Sequence, residues 1–116
     1  LVYWAGKKVD GFRCDVAEMV PVEFWNWVIP QVKEVNPDII FIAEIYNPDA
    51  YGNYIAQGRF DYLYEKVKLY DTLRLLIDKK RSTLDIDAIQ QSLTGINRHM
   101  LHFLENHDEQ RIASPF

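Results

Sequence analysis

The 116-residue chain lacks the features that several classes of protein require. Its single cysteine, Cys14, excludes an internal disulfide. Its longest apolar runs are too short to cross a bilayer. No basic run indicates a nucleic-acid partner, and no block of like charge indicates a disordered tail. No group of His, Cys and Asp has the spacing of a zinc site. We therefore expect a globular segment without nucleic-acid or membrane partners, and its localisation stays open.

Aromatic residues, by contrast, are abundant, with seven Tyr, six Phe and three Trp. Such side chains serve both protein cores and sugar-binding clefts, so their number does not favour either. The formal net charge is −4, and acids and bases are scattered along the chain.

Extended apolar runs alternate with segments of helical spacing. The runs predict strands at 9–16, 39–44, 60–64 and 100–106. Helices are predicted between them, and such alternation is typical of parallel βα units. The expected fold class is therefore α/β, a partial (β/α)8 TIM barrel with about four parallel strands and flanking helices. We expect residues 1–116 to be one fragment of a catalytic barrel, because four strands cannot close an eight-stranded barrel.

The first long helix is predicted to start at Pro21, which suits a first turn because its missing N–H costs nothing there. Its apolar positions have helical spacing, and they are Phe24, Trp27, Val28, Val32 and Val35. Pro30 lies inside this pattern, so a kink or break is expected there.

Three predicted strands end in carboxylic acids, namely Asp15, Glu44 and Asp108. In a parallel barrel the C-terminal strand ends converge on one face, which carries the chemistry. Arg13 lies two residues before Asp15, so both side chains should point to the same side of the strand. Cys14 should face the opposite way, as a buried small residue.

The three acids suggest glycosidase chemistry. Cleavage with retention needs a nucleophilic carboxylate and a second carboxyl group as acid and base, about 5–5.5 Å apart. Asp15, beside a cation, is the better nucleophile. Glu44, in an apolar run, is the better general acid. His107 and Asp108 can hydrogen-bond sugar hydroxyls.

Three short sequence motifs resemble those of a known enzyme family. They are Gly11-Phe12-Arg13-Cys14-Asp15, Phe41-Ile42-Ala43-Glu44 and Glu105-Asn106-His107-Asp108. In order and in flanking residues they resemble the signatures of the alpha-amylase family of retaining glycoside hydrolases, on its fourth, fifth and seventh barrel strands. The resemblance implies that Asp15 is the nucleophile, Glu44 the acid/base and Asp108 the stabiliser of the transition state. It implies that Arg13 and His107 bind substrate, and that the substrate is an α-glucan or maltooligosaccharide.

The chain departs from the family pattern at two places. Ala43 replaces the usual Gly before the acid/base, which adds one methyl group. Glu18-Met19 stands where many endo-acting amylases have a Lys-His pair that helps to bind leaving-group sugars and calcium. We therefore expect no cofactor, and calcium is not supported. Val16-Ala17 and Phe24-Trp25 are closer to the branch that acts on oligosaccharides.

Several alternatives stay open at this stage. Tyr46 could stack against a sugar or simply pack. Arg111 could orient Asp108, contact substrate or form a surface ion pair. The protein could be a hydrolase, a transglycosylase of the same family that passes the sugar to another sugar, or a non-catalytic barrel subunit. The isolated chain is expected to be inactive, because it carries part of a barrel. It is also expected to self-associate or to be poorly stable, since its sheet edges are open.

Overall fold

The structure, a computed structural model, describes residues 1–114 and contains two compact units, Leu1–Tyr64 and Glu65–Phe116. Strands and helices alternate along the chain, which confirms the predicted α/β class. The first unit contains α1 (Val2–Ala5), β1 (Gly11–Cys14), α2 (Val22–Val35), β2 (Ile40–Ala43), α3 (Tyr51–Ala56) and β3 (Tyr62–Tyr64). The second contains α4 (Asp71–Ile77), α5 (Leu84–Ser92) and β4 (Met100–Leu101).

The three strands of the first unit form a parallel sheet. β1 pairs with β2 from Gly11 opposite Ile40 to Cys14 opposite Ala43, and β2 pairs with β3 in the same direction. Phe41, Ala43 and Leu63 are fully buried in this sheet. Because β1 and β2 end at paired residues, the residues that follow them emerge at the same edge.

Gly11 allows this close pairing. A Cβ atom at this position would lie 2.7 Å from both the carbonyl oxygen and the Cγ1 atom of Ile40. Any other residue would push β1 away from β2. The glycine is therefore required where β1 starts, two residues before Arg13.

Helix α2 starts after Pro21, as predicted, and continues without a break through Pro30. The prediction of a break at Pro30 is wrong. One proline removes a single backbone hydrogen bond, and buried residues on both sides of it hold the helix to the core. These buried residues are Trp25, Val28, Ile29 and Val32.

The predicted apolar face of α2 is only partly correct. Val28 and Val32 are buried, whereas Phe24, Trp27 and Val35 are exposed by 40%, 62% and 47%. Compared with the prediction, the buried face of α2 is shifted around the helix axis and includes Trp25 and Ile29. The indole N–H of Trp25 donates to the carbonyl of Ala17 at 3.1 Å, which gives this buried ring a polar partner.

In the second unit a wide π-type turn, Lys66–Tyr70, leads directly into α4. The Ser82 hydroxyl accepts the Leu84 N–H at 3.2 Å and so supports the start of α5. Gly95, at φ +90, follows that helix in a conformation that suits glycine.

The last predicted strand is much shorter than expected. β4 contains only Met100 and Leu101, and the backbone bends at Leu104. Beyond it, the side chains of Asn106 and Glu105 accept the backbone N–H groups of Asp108 and Ile112. Such side-chain acceptors compete with strand pairing. Within residues 1–114, no helix has the length and apolar character needed to cross a membrane.

Asp61 ties three elements of the first unit together. Its Oδ2 atom accepts the backbone N–H of Phe41 at 2.8 Å, and its carboxylate contacts Lys33 Nζ at 2.8 and 2.9 Å. Its own N–H donates to the Phe41 carbonyl at 3.1 Å. The side chain thus links β2, α2 and the start of β3.

We expect Asp61→Ala in the full-length protein to lower the free energy of unfolding by about 1–3 kcal/mol, because a buried N–H group then loses its acceptor. Urea denaturation measures this change. Asp38→Ala, which removes an exposed carboxylate from the same unit, is the matched control. Equal stability of the two variants would contradict the role assigned to Asp61.

Candidate active site at the strand ends

Two of the predicted acids lie side by side at the edge of the sheet. Asp15 directly follows β1, and Glu44 directly follows β2. The Glu44 N–H donates to the Cys14 carbonyl, and the Ala17 N–H donates to the Glu44 carbonyl, both at 3.1 Å. These bonds continue the strand pairing beyond the sheet, so the backbone itself fixes the two acids as neighbours.

Arg13 contacts both acids. Its Nη1 lies 2.5 Å from Asp15 Oδ1, and its Nη2 lies 3.3 Å from Glu44 Oε1. The Asp15 contact agrees with the strand alternation that placed both side chains on one side. One guanidinium therefore connects the predicted nucleophile and the predicted acid/base.

Tyr64, at the end of β3, supports the guanidinium from another strand. Arg13 Nε donates to the Tyr64 hydroxyl at 3.1 Å, and the guanidinium carbon lies 5.1 Å from the centre of the tyrosine ring. Burial by itself lowers the pKa of Arg13, but the hydrogen bonds to Tyr64 and Asp15 and the charge of Glu44 raise it above its ordinary value. Arg13 is therefore a permanent cation.

Glu44 is buried, with 6% of its surface exposed, yet it is surrounded by donors. The Tyr46 hydroxyl donates to Oε1 at 2.8 Å, and the Val16 N–H donates to Oε2 at 2.8 Å. With Arg13, three groups hold this carboxyl. The apolar residues before Glu44 predicted a less polar environment than the one the fold provides.

Val16 adopts a backbone conformation that is rare for a branched residue. Its φ is 45° and its ψ is 44°, in the left-handed region. Such strain costs about 1–3 kcal/mol and occurs most often at functional sites. Here it turns the backbone after Asp15 so that the Val16 N–H meets Glu44.

The other two predicted site residues lie in the second unit, on the irregular segment after β4. His107 Nε2 lies 3.2 Å from Asp108 Oδ2, and both side chains are more than half exposed. The Asp108 N–H donates to Asn106 Oδ1 at 2.9 Å. Arg111 pairs with Glu105 at 2.9 Å, the surface ion pair considered from sequence.

The structure thus brings together Arg13, Asp15, Glu44 and Tyr46 in one unit, and His107 with Asp108 in the other.

Sequence reasoning missed Tyr64 and Val16. Tyr64 could have been found from its place at a strand end, next to those of Asp15 and Glu44. Val16 carries no sequence signal, because its contribution comes from the backbone.

No group of three metal-binding side chains occurs among the described residues. At Glu18-Met19, where the chain departs from the family pattern, Glu18 Oε2 accepts the Asn47 N–H at 3.1 Å. Glu18 therefore joins the loop after β2 to the turn after β1. The neighbouring Met19 is 78% exposed.

Comparison with known proteins gives partial matches, and no family model matches. The chain is 42% identical over 48 residues to alpha-1,4-glucan:maltose-1-phosphate maltosyltransferase from Mycobacterium tuberculosis strain CDC 1551 / Oshkosh. This match covers 41% of the chain and 7% of that enzyme. The enzyme of the same name from Rhodospirillum rubrum is 46% identical over 44 residues, which are 38% of the chain and 6% of the relative. The matches thus span a small part of these relatives.

The solved structure of an alpha-amylase from Lactobacillus plantarum has a similar fold. The TM-score is 0.75 at 27% identity, and the likeness covers 95% of the chain and 29% of the amylase. It confirms the predicted fold class, a partial (β/α)8 barrel.

Cys14 provides a test of the side-chain alternation along β1, which places its thiol on the side opposite to Asp15. It is 8% exposed, and burial raises the pKa of its thiol to about 11. Because the thiolate is the reactive form, we expect slow labelling by iodoacetamide in the folded full-length protein at pH 8, and rapid labelling after denaturation. Mass spectrometry of the peptide that contains Cys14 measures both rates. Fast labelling of the folded protein at pH 8 would place the thiol at the surface, on the side of Asp15.

Proposed function

Because the chain belongs to the alpha-amylase family, we propose that the protein containing it is a retaining α-glycoside hydrolase that acts on α-glucans or maltooligosaccharides. The contact of one guanidinium with Asp15 and Glu44 carries this proposal. A guanidinium spans only a few ångströms, so this arrangement suits the short carboxyl separation that retention requires. The names of the relatives, an alpha-amylase and alpha-1,4-glucan:maltose-1-phosphate maltosyltransferases, support an α-glucan substrate.

In the first step, Asp15 attacks the anomeric carbon of the bound sugar. The bond from that carbon to the leaving oxygen breaks, and Glu44 gives its proton to that oxygen. In the second step, Glu44 takes a proton from water, the water oxygen attacks the same carbon, and Asp15 is released. The Asp15 side chain is 76% exposed, so its carboxylate is accessible to a substrate.

Glu44 must hold a proton on an oxygen that faces the leaving group. Its Oε2 is held by the backbone N–H of Val16, which cannot move independently. Its Oε1 lies 3.3 Å from Arg13 Nη2 and accepts a hydrogen bond from the Tyr46 hydroxyl, which a side-chain rotation releases. We propose that Oε1 is the oxygen that exchanges the proton, and that Tyr46 both contacts substrate and controls this oxygen.

We propose that Asp108 stabilises the transition state and that His107 contacts the same sugar. The resemblance to the family supports these roles. Asp108 and His107 both have exposed side chains, as substrate-binding groups require. Hydrogen bonds to sugar hydroxyls that strengthen as the ring distorts would lower the barrier.

The names of the curated relatives favour a second candidate, a transglycosylase. It shares the covalent intermediate, but a sugar hydroxyl takes the place of water in the second step. Product analysis separates the two reactions. Hydrolysis of a maltooligosaccharide raises the number of reducing ends, whereas transfer produces longer chains while that number stays constant. Release of phosphate from maltose 1-phosphate together with lengthening of an α-glucan acceptor would identify the transfer reaction for which these relatives are named.

A fluorinated glycosyl fluoride tests the nucleophile. With the full-length protein we expect a covalent adduct on Asp15, because the fluorine slows the second step more than the activated first step. Peptide mapping by mass spectrometry locates the label. Asp15→Asn should abolish labelling, and Asp10→Asn, at an exposed acid just before β1, should label normally. A label on Glu44 or Asp108 would overturn the roles proposed here.

Glu44→Gln tests the general acid. We expect it to slow cleavage of unactivated maltooligosaccharides by about 10²–10⁴-fold, and to slow first-step cleavage of activated aryl glycosides far less, since these leaving groups need little protonation. Single-turnover rates on both substrates measure the difference. Glu34→Gln removes an exposed carboxylate from α2 and serves as the control. Equal losses on both substrates would count against Glu44 as the acid.

A further inference from the structure

The segment that carries Asp108 is closed by its own side chains. Asn106 Oδ1 accepts the Asp108 N–H at 2.9 Å, and Glu105 Oε2 accepts the Ile112 N–H at 2.5 Å. These contacts give the turn its shape. They do not attach it to a helix or a strand of the second unit.

The attachment comes from Glu109, the residue after Asp108. Lys66 Nζ lies 3.0 Å from Glu109 Oε1, and the Tyr70 hydroxyl donates to Glu109 Oε2 at 3.2 Å. Both carboxylate oxygens are therefore held. Lys66 also contacts Asp71 Oδ1 at 2.8 Å, which fixes the ammonium group from a second side.

Tyr70 connects the segment to the core of the unit. It is 2% exposed, and its ring stacks on Phe103 with the ring centres 5.2 Å apart. It thus contacts the chain both before and after Asp108. One turn further along, Arg74 Nη2 donates to Gln110 Oε1 at 2.8 Å.

The turn that carries Lys66 and Tyr70 is itself fixed at its start. The fully buried Glu65 accepts the Leu69 N–H at 2.7 Å through Oε2. Burial by itself lowers the pKa of Lys66, but its hydrogen bonds to Asp71 and Glu109 raise it above the ordinary value. Lys66 therefore stays charged across the range in which the protein would work.

We propose that Lys66, Tyr70 and Glu109 form a positioning cluster that sets the orientation of the Asp108 carboxylate for transition-state stabilisation, a role that rests on the proposed function. Asp15 and Glu44 follow paired strands, whose backbone hydrogen bonds fix them. Asp108 lies on irregular backbone, so its position depends on neighbouring side chains. A catalytic group must be held within about 0.5 Å of its productive position.

Lys66→Met in the full-length protein tests the cluster. We expect a decrease in kcat of about ten- to hundredfold on an activated aryl maltooligosaccharide with KM nearly unchanged, the size expected for a displacement of about 1 Å. Lys68→Met is the matched control. It removes the same charge two residues further along, where Nζ contacts Ser92 Oγ at 2.8 Å instead of Glu109. Equal effects of the two variants would overturn the proposal.

The same substitution in an Asp108→Asn background shows whether Lys66 acts through Asp108. We expect Asp108→Asn alone to lower kcat, and Lys66→Met to add little to it. A full additional loss in that background would show that Lys66 acts elsewhere and would overturn the cluster. An Asp108→Asn variant with normal kcat would instead overturn the role of Asp108 in the proposed function.

Tyr70→Phe keeps the test valid if Lys66→Met lowers the melting temperature. It removes only the hydroxyl that donates to Glu109 and keeps the ring on Phe103. We expect Tyr70→Phe to lower kcat when Asp108 is present. In the Asp108→Asn background we expect it to have little effect on kcat. The cluster would be refuted if both single variants, Tyr70→Phe and Lys66→Met, were folded and each had the kcat of the unsubstituted protein.

Discussion

The in-register parallel pairing of β1 with β2 is the constraint on which the site in the first unit depends. Cys14 is opposite Ala43, so Asp15 and Glu44, the next residue of each strand, emerge together. Gly11 permits the close approach at the start of the pair, and the bond from the Glu44 N–H to Cys14 continues the pairing at its end. Backbone geometry therefore decides that two acids are neighbours before any side chain contacts another.

When two neighbouring carboxyl groups are both ionised they repel each other, and a cation near both offsets that repulsion. Arg13 supplies that cation, and its guanidinium is held by the hydroxyl and the ring of Tyr64. A planar guanidinium presents several donors in fixed directions, so it can contact two acids and a phenol simultaneously. A lysine at this position would provide the charge without the geometry.

The two units hold their acids by different means. Asp15 and Glu44 follow strands and gain their positions from the sheet, whereas Asp108 lies in a turn closed by Asn106 and Glu105. Irregular segments have fewer backbone hydrogen bonds to fix them, so side chains must supply the restraint. The contacts of Lys66 and Tyr70 with Glu109 supply such a restraint, and the charge of Lys66 is matched by Asp71 as well.

The sequence by itself determined the features that depend on local patterns. Strand alternation predicted that Arg13 and Asp15 share a side and that Cys14 is buried, and the apolar runs predicted the order of strands and helices. Pro21 marked the start of α2. Only the tertiary structure decided the buried face of α2, the early end of β4, the left-handed Val16 and the donors around Glu44. The early end of β4 follows from side-chain acceptors that are near in sequence, Asn106 and Glu105. The other features depend mainly on residues distant in sequence, because packing and strand pairing select among conformations that the local sequence permits equally.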